Sequence, residues 1–343
     1  MMTRDAGQGR SRWTLIVAGS LAWPALGGCL REDGDDAERF RDAIPTAAQI
    51  EVAGPEAGEA TSTAAAARGP LAPGAWDDGP WAKYYGLTRE IRDGVNDVTA
   101  IVLGSAWVIV HTEPSSLGQR EAIWGPWADS LSPAEYRFRV TERAPDEYDY
   151  ALEGRKKGTA GAFVPVLSGR GHGRGDPRHG DGYFEIDLDR ARELDPFEVR
   201  EGSGRIRIEH DLDPRVTREL FVGDRWVSAE VSPSDSEVTW VAESVSSEDG
   251  TGTLYVRAHD DAQETRLTRL EDIELASAWR GDGAGRADVS VSGGDVPASV
   301  GTVHAVECWG ADFATRYYSD TIEWEPTTGD LSACVFAEPI APR

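Results

Sequence analysis

The chain has 343 residues and a formal net charge of −25, because 60 acidic side chains outnumber 35 basic ones. A chain with this charge repels nucleic acid, and its sequence contains no basic patch that could bind phosphates. The composition therefore excludes a nucleic-acid-binding role, and the excess charge favours solubility.

The first 28 residues have the parts of a signal peptide in the usual order. Arg4, Arg10 and Arg12 form a basic start, and an apolar segment follows at 13–25. This segment is too short to cross a bilayer, which takes ~20 residues. We expect residues 1–28 to be removed. Because this leader carries three arginines and one aspartate, its loss would change the net charge from −25 to about −27.

The run Leu26-Gly27-Gly28-Cys29 resembles a bacterial lipobox, in which the cysteine is lipidated and becomes the mature N-terminus. The alternative is an ordinary signal peptide, cut near Ala25 or Gly27. Acyl chains on Cys29 would anchor the protein to a membrane, at ~0.8 kcal/mol per buried methylene. Leu30, rather than an aspartate, follows the cysteine, and by resemblance to diderm lipoproteins this favours the outer membrane, on its periplasmic or surface face.

The two other cysteines of the chain, Cys308 and Cys334, form an even pair in an exported protein. We expect a disulfide between them. By closing a loop, it would raise the free energy of unfolding by roughly 3 kcal/mol. Two free buried thiols are the alternative. A zinc site is disfavoured, because two thiols without a nearby histidine pair do not complete a tetrahedral site.

Residues 29–79 are rich in alanine, glycine, proline and acidic side chains, with few large apolar residues. A segment of this composition buries too little apolar surface to offset the conformational entropy lost on folding, so we predict a flexible acidic tether. The segment 80–118 differs, since apolar residues recur at three- and four-residue steps and predict an amphipathic helix that ends near His111. A strand over 101–110 is the alternative. No segment after the leader reads as a membrane span.

From 119 to 337 the sequence alternates between apolar and polar residues in short runs separated by glycine-rich turns. This period of two is typical of antiparallel strands with one buried and one solvated face. The predicted fold is mainly β: a curved antiparallel meander or barrel-like sheet, with the long helix packed on or in it. A second domain beginning near Pro233 is the alternative to one continuous domain. The segment from Asp189 to Pro196 predicts a short helical turn between strands. Residues 338–343 form a short tail.

Several of these segments resemble a family of exported lipoproteins of the myxobacterial type. The most specific part is Cys308-Trp309, followed by Tyr317-Tyr318-Ser319-Asp320 and Cys334. Trp124-Gly125-Pro126-Trp127 is similar as well. The resemblance covers roughly residues 80–337. It implies an envelope location and a β-rich fold, but none of its motifs is catalytic.

One glycine-rich segment, 169–182, contains possible metal ligands, which are His172, Asp176, His179 and Asp181. Their spacing matches no known zinc pattern, so a mobile hairpin loop is the favoured interpretation. Glu185, Asp187 and Asp189 are predicted to share one solvated strand face rather than to form a catalytic carboxylate pair.

The sequence lacks the motifs of nucleophilic, metalloprotease and nucleotide-hydrolysing enzymes. We therefore expect a non-enzymatic envelope lipoprotein without a cofactor, with a structural or interaction role and an unidentified partner. The first alternative is a carrier of an apolar ligand inside the curved sheet, and the second is an envelope hydrolase whose site is assembled from loops.

Overall fold

The computed structural model describes residues 37–54, 81–173, 180–197, 199, 202–212, 217–218, 221–262 and 269–340. The helices are α1 (Glu38–Asp42), α2 (Ala47–Ile50), α3 (Lys83–Val110) and α4 (Leu188–Leu194), and a short 3-10 helix covers Leu331–Ala333. The strands are β1 (Ser116–Leu117), β2 (Glu121–Trp127), β3 (Ala134–Ala144), β4 (Glu147–Lys156), β5 (Val164–His172), β6 (Asp181–Asp187), β7 (Arg205–Asp211), β8 (Thr217–Arg218), β9 (Phe221–Val222), β10 (Arg225–Ser232), β11 (Thr239–Ser246), β12 (Gly252–Asp260), β13 (Glu271–Trp279), β14 (Gly285–Gly293), β15 (Thr302–Trp309), β16 (Thr315–Asp320) and β17 (Thr328–Gly329).

Fifteen strands form one antiparallel sheet, in which strands adjacent in the chain are adjacent in the sheet. The order runs from β1 to β7 and continues from β10 to β17, while β8 and β9 form a separate hairpin. The predicted antiparallel meander is therefore confirmed. Because β10 pairs with both β7 and β11, the sheet continues across Pro233 without a break.

The sheet is not closed, so the barrel-like alternative is wrong. The order of the described strands ends at β1 on one side and β17 on the other, and each of these edge strands is only two residues long. Short edge strands leave few backbone groups unpaired. An open sheet of this width is expected to curl, which gives it a concave face that other elements can fill.

Alternation along the strands separates the two faces of the sheet. In β7, for example, Ile206, Ile208 and His210 are buried, whereas Arg205 and Arg207 point to the more exposed face. We call the buried side the inner face and the other side the outer face. Apolar side chains of the inner face, from β2 to β15, form one contiguous core with α3.

The helix α3 covers most of the segment predicted as helical, and its end at Val110 matches the predicted end near His111. The alternative strand over 101–110 is wrong. Two polar contacts join the helix region to distant strands: the Thr88 hydroxyl donates to Ser277 of β13 at 2.8 Å, and the Trp124 indole of β2 donates to the carbonyl of Thr112 at 3.1 Å.

By length and hydropathy α3 is a candidate membrane span, although its sequence pattern predicted an amphipathic helix. A core helix passes the same test, and 44% of the most apolar window of α3 is buried inside the protein. Threonines on its inner side are buried in the protein: Thr99 is 1% exposed, and Thr88, 5% exposed, donates to Ser277 of β13. These contacts are those of a core helix.

Residues 37–54, predicted as part of a flexible tether, instead form a packed segment that we call the strap. Its large apolar side chains belong to the core, with Phe40 and Ile50 fully buried and Ile44 and Val52 nearly so. The strap follows α3: the Arg41 guanidinium donates to the carbonyl of Val110 at 3.0 Å, at one end. At the other end Asn96 and Val52 exchange two hydrogen bonds, of 2.8 and 3.1 Å.

The glycine-rich stretch of β5 shows why the strap can lie so close to the sheet. A Cβ at Gly171 would lie 2.8 Å from the carbonyl oxygen of Ala43 in the strap, and a Cβ at Gly169 would collide with the ring of Tyr150. Glycine inside a strand often marks such a close approach of backbone. The predicted mobile loop over 169–182 is therefore wrong at both ends, because β5 continues to His172 and β6 begins at Asp181.

Candidate functional site

The predicted lipidation site, Cys29, and the leader before it lie outside the described residues. The described chain begins at Ala37, eight residues after Cys29, and Ala37 is already buried beside α1. Any tether between the proposed anchor and the folded protein is therefore much shorter than the predicted 29–79. The structure leaves the lipidation itself as a prediction.

Cys308 and Cys334 are joined by a disulfide, with their Cα atoms 5.5 Å apart. Cys308 lies fully buried in β15, and Cys334 follows the 3-10 helix near the C-terminus. In register, Cys308 is opposite Arg286 of β14, so both side chains lie on the outer face of the sheet. The disulfide therefore fastens the C-terminal segment to that face.

Arg286 completes this attachment. It is 3% exposed and makes a two-pronged ion pair with Asp288, with N–O distances of 2.9 and 2.7 Å. The same guanidinium donates to the carbonyls of Phe336 and Ala337, and the Asp288 carboxylate accepts the backbone N–H of Ile340 at 2.8 Å. Part of the tail predicted at 338–343 is thus held in place by a buried ion pair.

On the inner face, the neighbouring Glu307 binds the N-terminus of α3. Its carboxylate is 2% exposed and accepts the backbone N–H of Tyr84 at 2.6 Å and the Thr315 hydroxyl at 2.9 Å. Burial raises the pKa of Glu307, while bonds from Tyr84, Thr315 and the Lys83 backbone oppose the rise. The first N–H groups of a helix have no partner within it, and no side chain of the helix's own N-cap supplies one. Glu307 of β15 instead supplies an acceptor for these N–H groups.

A second acidic residue organises the loop beside this contact. Asp320 accepts backbone N–H groups of Ile322, Trp324 and Glu325 at 2.9–3.1 Å, and the Tyr318 hydroxyl at 3.0 Å. Burial acts to raise the pKa of Asp320, but these four bonds outweigh it and lower the pKa overall. Glu325 in turn forms an ion pair with Lys83 at the start of α3. We call Lys83, Tyr84, Glu307, Thr315, Tyr318, Asp320 and Glu325 the helix clamp.

Aromatic side chains complete the packing around the clamp. Tyr85 stacks on Phe313 with ring centroids 4.4 Å apart and contacts Trp309 at 5.8 Å, and the Trp309 indole donates to the carbonyl of Gly283 at 2.9 Å. Burial raises the pKa of both Tyr84 and Tyr318. The segment from Cys308 to Cys334, singled out in the sequence for its resemblance to exported lipoproteins, thus holds α3 on one face and the C-terminus on the other.

The four candidate metal ligands are only partly placed. His172 and Asp181 are opposite each other in register, with the imidazole Nδ1 3.2 Å from the carboxylate, whereas Asp176 and His179 lie outside the described residues. Within the described part of the chain, no group of three or more His, Cys, Asp or Glu side chains could hold a metal ion.

His210 lies next to this pair but on the other side of the sheet. It is opposite Gly182, one residue along from Asp181, so its ring points to the inner face, where it is 4% exposed. Burial lowers the pKa of His210 to about 4, although Asp181 acts to raise it. Nothing in the sequence distinguished this histidine from a solvent-exposed one except its alternation with Ile206 and Ile208.

A pair of carboxylates meets at the opposite end of the sheet. Asp260 and Glu271 are opposite each other in the register of β12 and β13, and Glu271 is 3% exposed. Burial, together with the charges of Asp261 and Glu271, raises the pKa of Asp260 to about 6. Glu271 accepts the backbone N–H groups of Ala262 and Asp295 at 3.0 and 2.7 Å, so it joins two loops rather than facing a cleft.

The carboxylates predicted to share a strand face do so only in part. Glu185 and Asp187 lie on the outer face opposite Arg207 and Arg205, at ion-pair distances of 3.7 and 3.8 Å. Asp187 also accepts the backbone N–H of Arg190 at 2.9 Å and so caps α4. Asp189 lies on that helix, not on the strand, because the chain turns after Asp187. The predicted helical turn is confirmed.

Comparison with family models, with curated proteins and with solved structures found no match.

Proposed function

We propose that this chain is a cell-envelope lipoprotein whose folded part serves a structural or interaction role, held at the membrane by acyl chains on Cys29. The sequence Leu26-Gly27-Gly28-Cys29 behind a short apolar segment carries the proposal. The acyl chains supply membrane affinity, at ~0.8 kcal/mol per buried methylene, and the outer membrane is the proposed site.

The disulfide supports an exported location. Cys308 and Cys334 are bridged in a fold that has its own extensive core, so the bridge is not a substitute for packing. Such structural disulfides persist in oxidising compartments and are rare in the reducing cytosol.

The inner face of the sheet supports a structural role over the carrier of an apolar ligand. A carrier needs an apolar space that opens to solvent, but the core on the inner face of the sheet contains Ile91, Val95, Val98 and Val102 of α3, all at least 92% buried. The strap adds Phe40 and Ile50 to the same core.

The proposal is tested by fractionating cells that produce the wild-type chain or Cys29→Ser. We expect the wild type in the detergent-soluble membrane fraction and the variant in the soluble fraction. The matched control is the double variant Cys308→Ala/Cys334→Ala, which removes the other two thiols and should stay in the membrane fraction. A Cys29→Ser protein whose intact mass shows that residues 1–28 are gone, but which still needs detergent, would contradict the proposal.

A further inference from the structure

The outward side of α3 carries an exposed apolar stripe in its C-terminal half. Ile101, Trp107 and Val108 are 38%, 46% and 54% exposed. Their spacing places them on one face of the helix, with Gly104 between them. No residue from 98 to 110 is ionisable, so the stripe carries no charge in a chain of net charge −25.

The strap places Ala37, the first described residue after the proposed anchor, at the same end of the molecule. Arg41 of α1 bonds to the carbonyl of Val110, and Ala37, just before α1, is buried. Cys29 precedes Ala37 by eight residues, which reach about 28 Å at ~3.5 Å per residue. Along the helix axis Ile101 lies about 14 Å from Val110, at 1.5 Å per residue. The whole stripe is therefore within reach of a membrane surface that holds the acyl chains.

We propose that the stripe of Ile101, Trp107 and Val108 docks on the lipid bilayer, at the boundary between headgroups and acyl chains. This inference rests on the proposed lipidation of Cys29. Tryptophan favours that boundary, where its ring is apolar and its N–H stays hydrated. The Trp107 ring is stacked on His111 with centroids 3.9 Å apart, which fixes the indole at the end of the helix.

A bilayer fits the stripe better than a second copy of the chain does. A stable protein interface takes roughly 20–30 residues from each side, and the stripe offers three large side chains. Docking to a membrane needs fewer contacting residues, because the covalent anchor already holds the stripe at a high local concentration near the lipid.

The test uses the full mature lipidated protein in vesicles of phosphatidylethanolamine and phosphatidylglycerol with brominated acyl chains, which quench tryptophans that contact them. We expect Trp107→Phe to reduce the quenched fraction by roughly twofold or more. The matched control is Trp324→Phe. Trp324 is 58% exposed at the other end of α3, beside the Lys83–Glu325 pair, so its loss should leave the quenching unchanged. Val108→Asp should abolish the Trp107-dependent quenching and lower the melting temperature by at most a few degrees, because it charges an exposed position in the last turn of the helix.

The outcomes separate the docking from the anchor. Intact mass and flotation of the same samples report lipidation. A lipidated protein that floats with the vesicles, but whose quenching does not depend on Trp107, would overturn the docking and leave the lipoprotein assignment intact. Sedimentation of a dimer that Val108→Asp dissociates would overturn it in favour of self-association. An unmodified Cys29 would overturn both proposals.

Discussion

The carboxylate of Glu307 in β15 accepts the backbone N–H of Tyr84 in the first turn of α3 at 2.6 Å. A buried acid on a strand thereby supplies the N-terminal partner that the helix lacks, and the negative charge also meets the positive end of the helix dipole. This contact fixes where the long helix begins relative to the sheet.

Replacing Glu307 with alanine should lower the free energy of unfolding by about 2–4 kcal/mol, because the helix N–H groups and the Thr315 hydroxyl lose their buried acceptor. Chemical denaturation measures the loss. Glu230→Ala removes the same side chain from an exposed position of β10 and should change the stability by less than about 0.5 kcal/mol. Equal effects of the two substitutions would contradict the capping role.

Phe40→Ala should lower the free energy of unfolding by about 3–5 kcal/mol, the usual effect of removing a buried phenylalanine ring. The ring of Phe40 is fully buried in the core and packs against Tyr148, with centroids 6.2 Å apart. Phe197, which is 72% exposed, is the matched control and should tolerate alanine. If Phe40→Ala were as mild as Phe197→Ala, the strap would not be part of the folded core, and the short reach from Cys29 would fail with it.

Reduction of the disulfide should lower the stability by roughly 3 kcal/mol, since it releases a loop between residues that are 26 apart in sequence. The measurement is thermal unfolding with and without reductant, followed by thiol labelling. The double variant Cys308→Ala/Cys334→Ala should melt at the reduced value under both conditions. A wild-type protein whose thiols are labelled before reduction would show that the bridge is absent.

His210 should make the protein lose stability in mild acid. Its pKa is about 4 in the folded protein and near 6.5 when unfolded, so the unfolded state binds the proton more readily. The stability it contributes is complete above pH 6.5 and is lost as the pH falls towards 4, by up to about 3 kcal/mol. Denaturation of His210→Gln at several pH values should show a flatter dependence in this window, whereas His304→Gln, at an exposed position, should keep the wild-type slope.

Asp260 should have the opposite effect on the pH dependence of stability from that of His210. Its pKa is raised to about 6, so the folded protein binds this proton more readily than the unfolded chain does. The stabilising effect of the protonated form is complete below the ordinary aspartate pKa and is lost as the pH rises through 6. Asp260→Asn should therefore stabilise the protein at pH 8 and have little effect at pH 4. A variant no more stable at pH 8 than Glu248→Gln, an exposed charge control, would show that burial and the neighbouring carboxylates do not raise the pKa of Asp260.

Strand alternation and helical periodicity predicted most of the architecture, because both follow directly from which residues face the core. Phe138 and Ile208 of the sheet, and Ile91 and Val95 of α3, are apolar members of these patterns, and all four are buried. The cysteine count likewise predicted the Cys308–Cys334 bridge.

The strap was missed because its composition is acidic and alanine-rich on average, which hides a few apolar residues with helical spacing. One local signal was present: Thr46 and Gln49 have the spacing of a capping box, and the Thr46 N–H donates to the Gln49 side chain at 2.7 Å. Alternation with Ile206 and Ile208 is the one sequence signal that places His210 on the core side. The role of Glu307 has no such signal, since its partners on α3 are distant in sequence. The sequence alone favours a loop at Gly171, because a close approach of backbone is a tertiary property.

Lipidation is tested by the mass of the N-terminal peptide of the protein extracted from its native envelope. We expect a peptide that begins at Cys29 and carries the mass of attached acyl chains. An unmodified peptide, or one that begins at any other residue, would contradict the membrane anchor and the docking face that depends on it.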